Sequence, residues 1–530
     1  VRHFSSYGPV DPATDYCVAR SELVEQCVAQ LVGDPDKGGH YFTLWGPRQT
    51  GKTWLMQRAV AEVRARHGDR FLVGAISMQA VVLGDDDPPE AILDWIPRLF
   101  RWGMQVEVPK PATWAEWADQ LRKGSSPFDR PLVLLIDEVD KLPPAVIERM
   151  VGLFRDLYLT RQTAVLHGLA LVGVQAVLGV DGARGSPFNV QRALHVPNLT
   201  RDEVTDLFAQ YQAESGQAVD PEVVGEVFDV TRGQPGLVSW FGELLTDRYN
   251  PGPAEPISTQ IFRRVYTLAL QVEWNNTILN LVKKARGPHQ SHVVALFTDP
   301  NVPFALDRDW CRYLYMNGVI DQAQVPDGTG GFEVVCRFSS PFVQRRLYAA
   351  LTDDLFGEKG PLLAIEPGDL LADVFTPDGL HLPPLLARYR GYLARLAARG
   401  IDPWKGQPRR STDLHLTEAV GHFHLYAWLR DAVGRRCVIS PEFPTGNGKV
   451  DLVLRTKEGH AGVIEVKSFV DMYDLAEGRA QAARYGKKLG VSSVTMAVFV
   501  PLADEEVPPQ IAGEAEVLGV KVIVVTIGWV

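Results

Sequence analysis

The chain has 530 residues, of which 46% are hydrophobic and 22% charged. A single hydrophobic core stops growing near about 250–300 residues, so three or four domains are expected, and the composition excludes disordered, collagen-like and coiled-coil chains. Its 54 Lys and Arg against 64 Asp and Glu give a net charge of −10, which excludes a uniformly basic protein that coats nucleic acid but not a local basic face.

Cys17, Cys27, Cys311, Cys336 and Cys437 are scattered, and no pair has CxxC spacing. Free thiols in a reducing cytoplasm are expected, rather than a disulfide framework or a cysteine zinc site. No apolar run is long and unbroken enough to span a bilayer, and the first residues lack the basic-then-apolar pattern of a signal peptide. No membrane partner is expected.

In chain order, Tyr41–Gly46 reads as a short buried strand, and Trp54–Arg66 as a helix. Between them runs Gly46-Pro47-Arg48-Gln49-Thr50-Gly51-Lys52-Thr53. This is GxxxxGK[ST] between a strand and a helix. Its glycines let backbone N–H groups close on phosphate oxygens, and the helix N-terminus adds a positive dipole. Lys52 would reach the β- and γ-phosphates, and Thr53 would hold Mg²⁺ through its hydroxyl. Phe71–Met78 adds a strand. Leu132–Ile136 is a central strand buried on both faces, with Asp137 and Glu138 at its C-terminal end, where open α/β sheets place ligands. Asp137 would hold Mg²⁺ through water, and Glu138 would polarise the attacking water. Leu169–Val174 and Ala193–Val196 complete a parallel sheet. Gln175 either senses the γ-phosphate or caps its strand. Arg184 and Arg192 flank Gly185–Asn189 and either reach a neighbour's nucleotide in an oligomer or stay solvated. Residues 201–249 are helical in pattern, and Gly233-Gln234-Pro235-Gly236 suits the start of a lid helix that packs on the nucleotide.

With Gly8-Pro9-Val10-Asp11-Pro12, Gly39–Thr53, Leu132–Asp140, Ser186–Asn189 and Gly233–Gly236, residues 1–255 resemble the AAA+/STAND-type P-loop ATPases. The resemblance implies ATP binding, slow hydrolysis and a nucleotide-dependent homo-oligomer.

Residues 256–352 read as helices plus a winged-helix-like domain. Asp309–Met316 is a helix, Gly318–Asp321 begins a strand, Asp327–Gly331 is a hairpin tip and Phe332–Phe338 returns. Pro341–Leu351 closes it. Such a module either binds DNA or packs and couples signals. Residues 353–410 read as a linker with a basic helix. Arg388, Arg390, Arg395, Arg399, Lys405, Arg409 and Arg410 stand against Asp402 alone, and Arg388, Tyr392, Arg395 and Arg399 share one helix face. With Trp404 just beyond, this is either a phosphate track with interleaved aromatics or a solvated helix with its leucines packed inward.

Residues 411–530 hold a second constellation. His415–Val433 reads as a helix with Glu418 near its start, Gly448–Leu454 as a strand, Lys457–His460 as a turn and Gly462–Lys467 as the return strand. A hairpin centred on Glu458 sets Asp451 opposite Glu465, and Glu465 and Lys467, two residues apart, share a face. Converging carboxylates repel unless a cation neutralises them, and oxygen donors favour Mg²⁺ or Mn²⁺, which activates water. Lys467 would orient that water or neutralise a scissile phosphate, and Gln481 and Tyr485, one turn apart on the helix Leu475–Leu489, can finish the wall. The alternative is a surface hairpin that merely bears charges. His415, His422 and His424 lack an ordered zinc spacing and read as helix surface or packing.

Glu418, Asp451, Glu465-Val466-Lys467 and Gln481-x-x-x-Tyr485, with Pro441-Glu442 and Gly446-Asn447-Gly448, resemble the PD-(D/E)XK nuclease superfamily in the form fused to AAA-like ATPases. Val450 stands where that family often has Pro before the aspartate. The resemblance implies a Mg²⁺-dependent nuclease acting on nucleic acid, DNA first, in a defence or mobile-element setting. The whole is then an α/β multidomain chain: a P-loop ASCE parallel sheet with a helical lid, a winged-helix-like middle and a C-terminal mixed α/β restriction-endonuclease-like domain. A signalling ATPase whose C-terminal fold binds without cutting is the alternative; a translocase is disfavoured by the lack of helicase motifs.

Overall fold

The computed structural model describes residues 2–173, 192–299, 301–326, 330–356, 362–410, 412–442, 451–503, 506–508 and 510–529. It divides into two compact units, Val1–Thr277 with Tyr315–Gly318, and Ile278–Leu314 with Val319–Val530.

In the first unit, α1 (Ser21–Val32) precedes β1 (Tyr41–Trp45) and α2 (Lys52–His67). Then come β2 (Leu72–Ser77), α3 (Ile96–Met104), α4 (Trp114–Gln120), β3 (Leu132–Asp137), α5 (Pro144–Leu159), β4 (Leu166–Gly173) and β5 (Arg192–His195). The five strands form one parallel sheet in the order β2-β3-β4-β1-β5. β4 therefore stands between β1, which leads into the glycine loop, and β3, which ends in Asp137. The apolar run of β3 is explained by its two-sided burial. Leu132, Leu134 and Ile136 enter one core cluster with α3, α4 and α5, while Val133 and Leu135 enter another with α1 and α2, as the period of two requires.

Three helices follow: α6 (Arg201–Ser215), α7 (Pro221–Thr231) and α8 (Pro235–Glu243). Thr200 and Glu203 form a reciprocal capping box on α6. Gly233 has φ +71°, and a Cβ there would meet Leu199 O at 1.9 Å, so only glycine admits the turn into α8. α9 (Thr259–Gln271) closes this run, and α10 (Asn276–Ala285) opens the second unit at Ile278.

The second unit continues through α11 (Gln290–Ala295), α12 (Asp309–Met316), the hairpin β6 (Ile320–Pro326) and β7 (Phe332–Phe338), and α13 (Pro341–Phe356). Residues 302–304 add a short third pairing to β7 through Cys336 N to Val302 O (2.8 Å) and Phe304 N to Val334 O (2.9 Å). The small hairpin β8 (Phe375–Thr376) and β9 (Gly379–Leu380) leads into α14 (Leu382–Ala397) and α15 (Glu418–Val433). Then come β10 (Cys437–Glu442), β11 (Asp451–Thr456), β12 (Ala461–Ser468), α16 (Met472–Leu489), β13 (Ser493–Val500), β14 (Gly513–Val517) and β15 (Val520–Gly528). They form a mixed six-stranded sheet, β10-β11-β12-β13-β15-β14. Leu452, Leu454, Ile464 and Val466 face α14 and α15, whereas Val453 and Val463 face α16.

The segment expected as a linker is part of this core. Leu371 and Val374 are buried in the cluster with α14 and α15, and Leu362, Ile365 and Phe375 pack against it. Its Gly and Pro content marks turns between packed residues rather than free chain. Of the two readings of the basic stripe, Arg388, Arg395, Tyr392 and Trp404 favour the packed helix. Arg388 donates to both carboxylates Asp369 and Asp373, and Arg395 pairs with Glu366 at 2.8 Å. Tyr392 and Trp404 are 8% and 4% exposed, so neither can stack on a base. Asp369, Asp373 and Glu366 all precede the helix and lie outside its own charge pattern. Arg388→Ala is expected to cost the second unit about 1 kcal/mol, as forked but partly exposed pairs do, measured by denaturant unfolding. Nucleic-acid affinity and its salt slope should stay at wild-type values; a reduced slope would restore the phosphate track.

His422 and His424 are packing residues and not surface ones. Their Nδ1 atoms bond to the Tyr348 hydroxyl (2.6 Å) and the Tyr389 hydroxyl (2.5 Å), and burial pushes His424 down to about 3. None of the five cysteines forms a disulfide. Among the described residues no helix is long and apolar enough to cross a membrane.

Candidate functional site

The glycine loop of the first unit is shaped by contacts that restrict each position. A Cβ on Gly46 would lie 2.9 Å from Thr50 Oγ1 and 3.1 Å from Val196 O. Gly51 takes φ +90° to begin α2. Thr50 Oγ1 donates to Pro47 O at 3.0 Å, and Lys52 Nζ donates to Gly46 O (2.8 Å) and Pro47 O (2.6 Å). The lysine thus lies folded over the loop its own backbone makes. Thr53 Oγ1 donates to Asp137 Oδ2 at 3.0 Å, and Asp137 Oδ1 accepts from Glu138 N at 2.9 Å. Burial raises the Asp137 pKa above the usual carboxylate range. A hydroxyl and a buried carboxylate short of positive charge form a donor set that suits Mg²⁺.

Glu138 follows with φ +58°, half exposed, its Oε2 3.6 Å from Lys141 Nζ. Positive φ in a non-glycine residue is costly and clusters at functional sites. Asp140 was not singled out from the sequence. It lies against the end of β4, where a Cβ on Gly173 would sit 2.7 Å from its Oδ1, and it is the strongest charged influence on Lys52. Its position three residues beyond Asp137 was the available signal.

The lid meets the loop at Arg48 and Gln49. Gly236 N donates to Gln49 O (3.1 Å), and Gln234 Nε2 donates to Arg48 O (3.1 Å). Pro235 is the first residue of α8 between them. Gln49, at φ +59°, also donates from Nε2 to Ser6 O at 3.4 Å and accepts from the Thr277 hydroxyl. The N-terminal arm, the loop, the lid and the start of α10 therefore converge on one glutamine. Gln175, Arg184 and Ser186–Asn189 lie outside the described residues, as does the side chain of Arg192.

Burial pushes the Lys52 ammonium down to about 8. A polyphosphate bound there would restore its charge, so that binding would take up a proton wherever the free lysine is neutral. ATP affinity is expected to be flat below pH 8 and to fall by up to about tenfold per pH unit above it. Titration calorimetry in buffers of different ionisation enthalpy reads the proton uptake; zero uptake at pH 9 contradicts it.

In the second unit, β11 and β12 pair antiparallel with Asp451 opposite Glu465, the register expected from a hairpin centred on Glu458. Glu465 is 2% exposed and shares the α16 face with Val463. Lys467 follows on that face, and its stem lies 3.5 Å from where a Cβ on Gly478 of α16 would be. Its Nζ is 2.7 Å from Glu465 Oε1 and 3.6 Å from Oε1 of Glu418, the first residue of α15. Glu465 Oε2 is buried with no hydrogen-bond partner among the described residues. A buried carboxylate oxygen without a donor is costly in a protein interior, and as a hard anionic ligand it suits Mg²⁺ or Mn²⁺. The Asp451 and Glu442 side chains and residues 443–450 lie outside the described residues, and among the described residues no three His, Cys, Asp or Glu side chains converge.

Glu418 and Lys467 open onto a cleft of about 660 Å³, also lined by Arg410, Thr417, Ser468 and Asp471. The lining takes Asp474, Leu475, Glu477 and Gly478 from α16; Gln481 and Tyr485 sit half-buried further along that helix. Arg410 and Thr417 were not assigned to the site from sequence, since they precede the hairpin and join it only through folding.

No family model matches the chain, and no curated protein does. Among solved structures, it is similar to the Walker-type ATPase paby2304 of Pyrococcus abyssi (14% identity, 65% of this chain, 99% of that chain, TM-score 0.44). It is also similar to the Thermotoga maritima RuvB Holliday junction branch migration motor (15%, 60%, 92%, 0.32) and to Cdc6p from Pyrobaculum aerophilum (16%, 66%, 97%, 0.34). The P-loop α/β character of the first unit rests on its strand order and loop geometry.

Proposed function

We propose that the first unit binds and hydrolyses ATP and that the second unit uses a divalent metal to cut phosphodiester bonds in nucleic acid, with DNA as the first substrate to test. The observation that carries the second half is the buried Glu465 carboxylate, paired in register with Asp451 and held by Lys467. In the nucleotide site, the loop from Gly46 to Gly51 would cradle phosphates with its N–H groups. Lys52 would leave its own carbonyls for the β- and γ-phosphates, Thr53 and Asp137 would hold Mg²⁺, and Glu138 would orient the attacking water. Pro235 and Gln234 would close the lid, Gln175 would face the γ-phosphate, and subunits would assemble around bound nucleotide. In the cleft, Asp451 and Glu465 would hold Mg²⁺ or Mn²⁺, with Glu418 beside them. Lys467 would neutralise the scissile phosphate or orient water, and Gln481 would complete the wall. Bound metal in either site supplies charge neutralisation and a more acidic water. ATP state would regulate cutting, as in defence or mobile-element conflict; the winged-helix-like segment would serve DNA contact or packing, and the cytoplasm would be its compartment.

The ion pair that Lys467 makes with both Glu465 and Glu418 favours a second reading, in which an internally neutralised cleft binds without cutting. Purified protein incubated with plasmid, linear and single-stranded DNA and with RNA, with Mg²⁺ or Mn²⁺, with and without ATP, separates them. Cleavage of none under every condition leaves only the binding reading.

A further inference from the structure

Arg410 lines the cleft wall beside the end of β12, and its guanidinium is held at several points. Its Nε donates to Asp413 Oδ1 at 3.0 Å and its Nη2 lies 2.7 Å from Asp413 Oδ2. Nη2 also donates to Phe469 O at 2.8 Å and lies 3.0 Å from His415 Nδ1. Three groups thus fix one edge of the guanidinium. Nη1 makes only a 3.5 Å contact, to Ser468 O, among the described residues. The contacts to Ser468 O and Phe469 O tie the group to the main chain directly after Lys467.

The neighbouring helix start also lacks a side-chain cap. Thr417 is the N-cap of the 16-residue helix α15, yet its side chain makes no capping bond, and its Oγ1 is buried with no partner among the described residues. A helix start without a side-chain cap leaves orphan N–H groups, and with the dipole this favours negative charge. Arg410, Thr417 and Lys467 line the same cleft. Of the acidic side chains in the lining, Glu418 lies 3.6 Å from Lys467 Nζ, and the others are bonded to backbone or exposed. Asp471 caps α16 through Tyr473 N and Asp474 N, Asp299 accepts from Asn301 N, and Asp474 and Glu477 are exposed.

We propose that Arg410 is a positioning residue that holds a second phosphate of the substrate strand, adjacent to the bond presented to Glu465 and Lys467. This assignment rests on the phosphodiester cleavage proposed above and names its substrate class: a strand carrying at least two consecutive charged phosphates. A fork fixed by Asp413 pays little of the entropy that a free arginine loses on binding, and a phosphate accepts from its remaining edge as a charge-assisted pair.

The full-length protein is assayed on oligonucleotides, each with one neutral methylphosphonate placed in turn at every linkage. For wild type, one linkage next to the cut is expected to raise KM about 10–100-fold, the range of a charge-assisted hydrogen bond, with kcat changed only a few-fold. Arg410→Ala should show that KM rise on the all-phosphate strand and lose all further sensitivity at that linkage. Arg410→Gln, whose side-chain amide ends near the Nε position and can still donate to Asp413, should behave alike at an unchanged unfolding midpoint, and Arg410→Lys should restore part of the affinity. Asp413→Asn, which frees the fork but keeps the cation, should fall between. Wild type and Arg410→Gln equally sensitive at every linkage would overturn the assignment. Should wild type cut nothing, the cleavage reading falls separately. The same strands are then titrated by fluorescence polarisation. Arg410-dependent binding that one methylphosphonate abolishes, with a salt slope reduced by about 0.7 in Arg410→Gln, supports the phosphate subsite; identical slopes overturn it.

Discussion

Lys52→Ala is expected to weaken ATP binding by about 10²–10³-fold, because it removes charge-assisted hydrogen bonds to two phosphates, each worth about 1.5–3 kcal/mol. The fold should survive, since among the described residues the Lys52 ammonium bonds only to Gly46 O and Pro47 O of its own loop. Glu138→Gln should do the opposite to binding. It keeps the shape and the N–H to Asp137 Oδ1 contact but cannot polarise water, so turnover is expected to drop about 10²–10⁴-fold while ATP stays bound. Equilibrium binding of a fluorescent ATP analogue, set beside phosphate release, reads both. Unchanged turnover in the two variants would remove the nucleotide assignment.

The second large effect is expected in the cleft. Glu465→Ala deletes a buried carboxylate and leaves Lys467 with Glu418 at 3.6 Å as its recorded acidic neighbour. Lys467→Ala leaves Glu465 buried without its 2.7 Å ion pair. Both should reduce cleavage by about 10³-fold or more, the scale of a lost electrostatic or metal-activating group. Lys467→Ala carries a further penalty, because breaking a buried pair strands a charge at about 3–5 kcal/mol. Raising Mg²⁺ or Mn²⁺ should recover part of that stability if the cation takes the place of the ammonium. Thermal unfolding with and without metal, beside the cleavage assay on plasmid and single-stranded DNA, measures both; variants that cut as wild type does would end the nuclease assignment.

Much of each site was legible because its chemistry is local. The glycine loop needs its residue types within eight positions, where backbone N–H groups and one helix N-terminus act together. The Asp451 to Glu465 pairing follows from counting outward from a turn, since strand register is a period-two rule. The six-residue β3 was readable for the same reason, as burial on both faces writes an unbroken apolar run.

Long-range partners were not legible. For Arg388 and Arg395 the sequence left a phosphate track and a solvated helix equally open, and Asp369, Asp373 and Glu366 lie against them. Tyr392 sits on the arginine face by spacing alone, yet packs near Trp428 in the core. Likewise, the Gly- and Pro-rich segment before α14 carries Leu371 and Val374, whose burial depends on a sheet some hundred residues later.

By itself the sequence determined the glycine-loop pattern between strand and helix, the β11–β12 register and the face that Glu465 and Lys467 share, because each depends on neighbours along a few residues of backbone. The tertiary structure alone decided which cations remain for a ligand. Charge pairing is set by distance in space, and contacts such as Gln234 with Arg48, Thr277 with Gln49 and Arg410 with Asp413 and Phe469 consume or aim side chains in ways that no local pattern encodes.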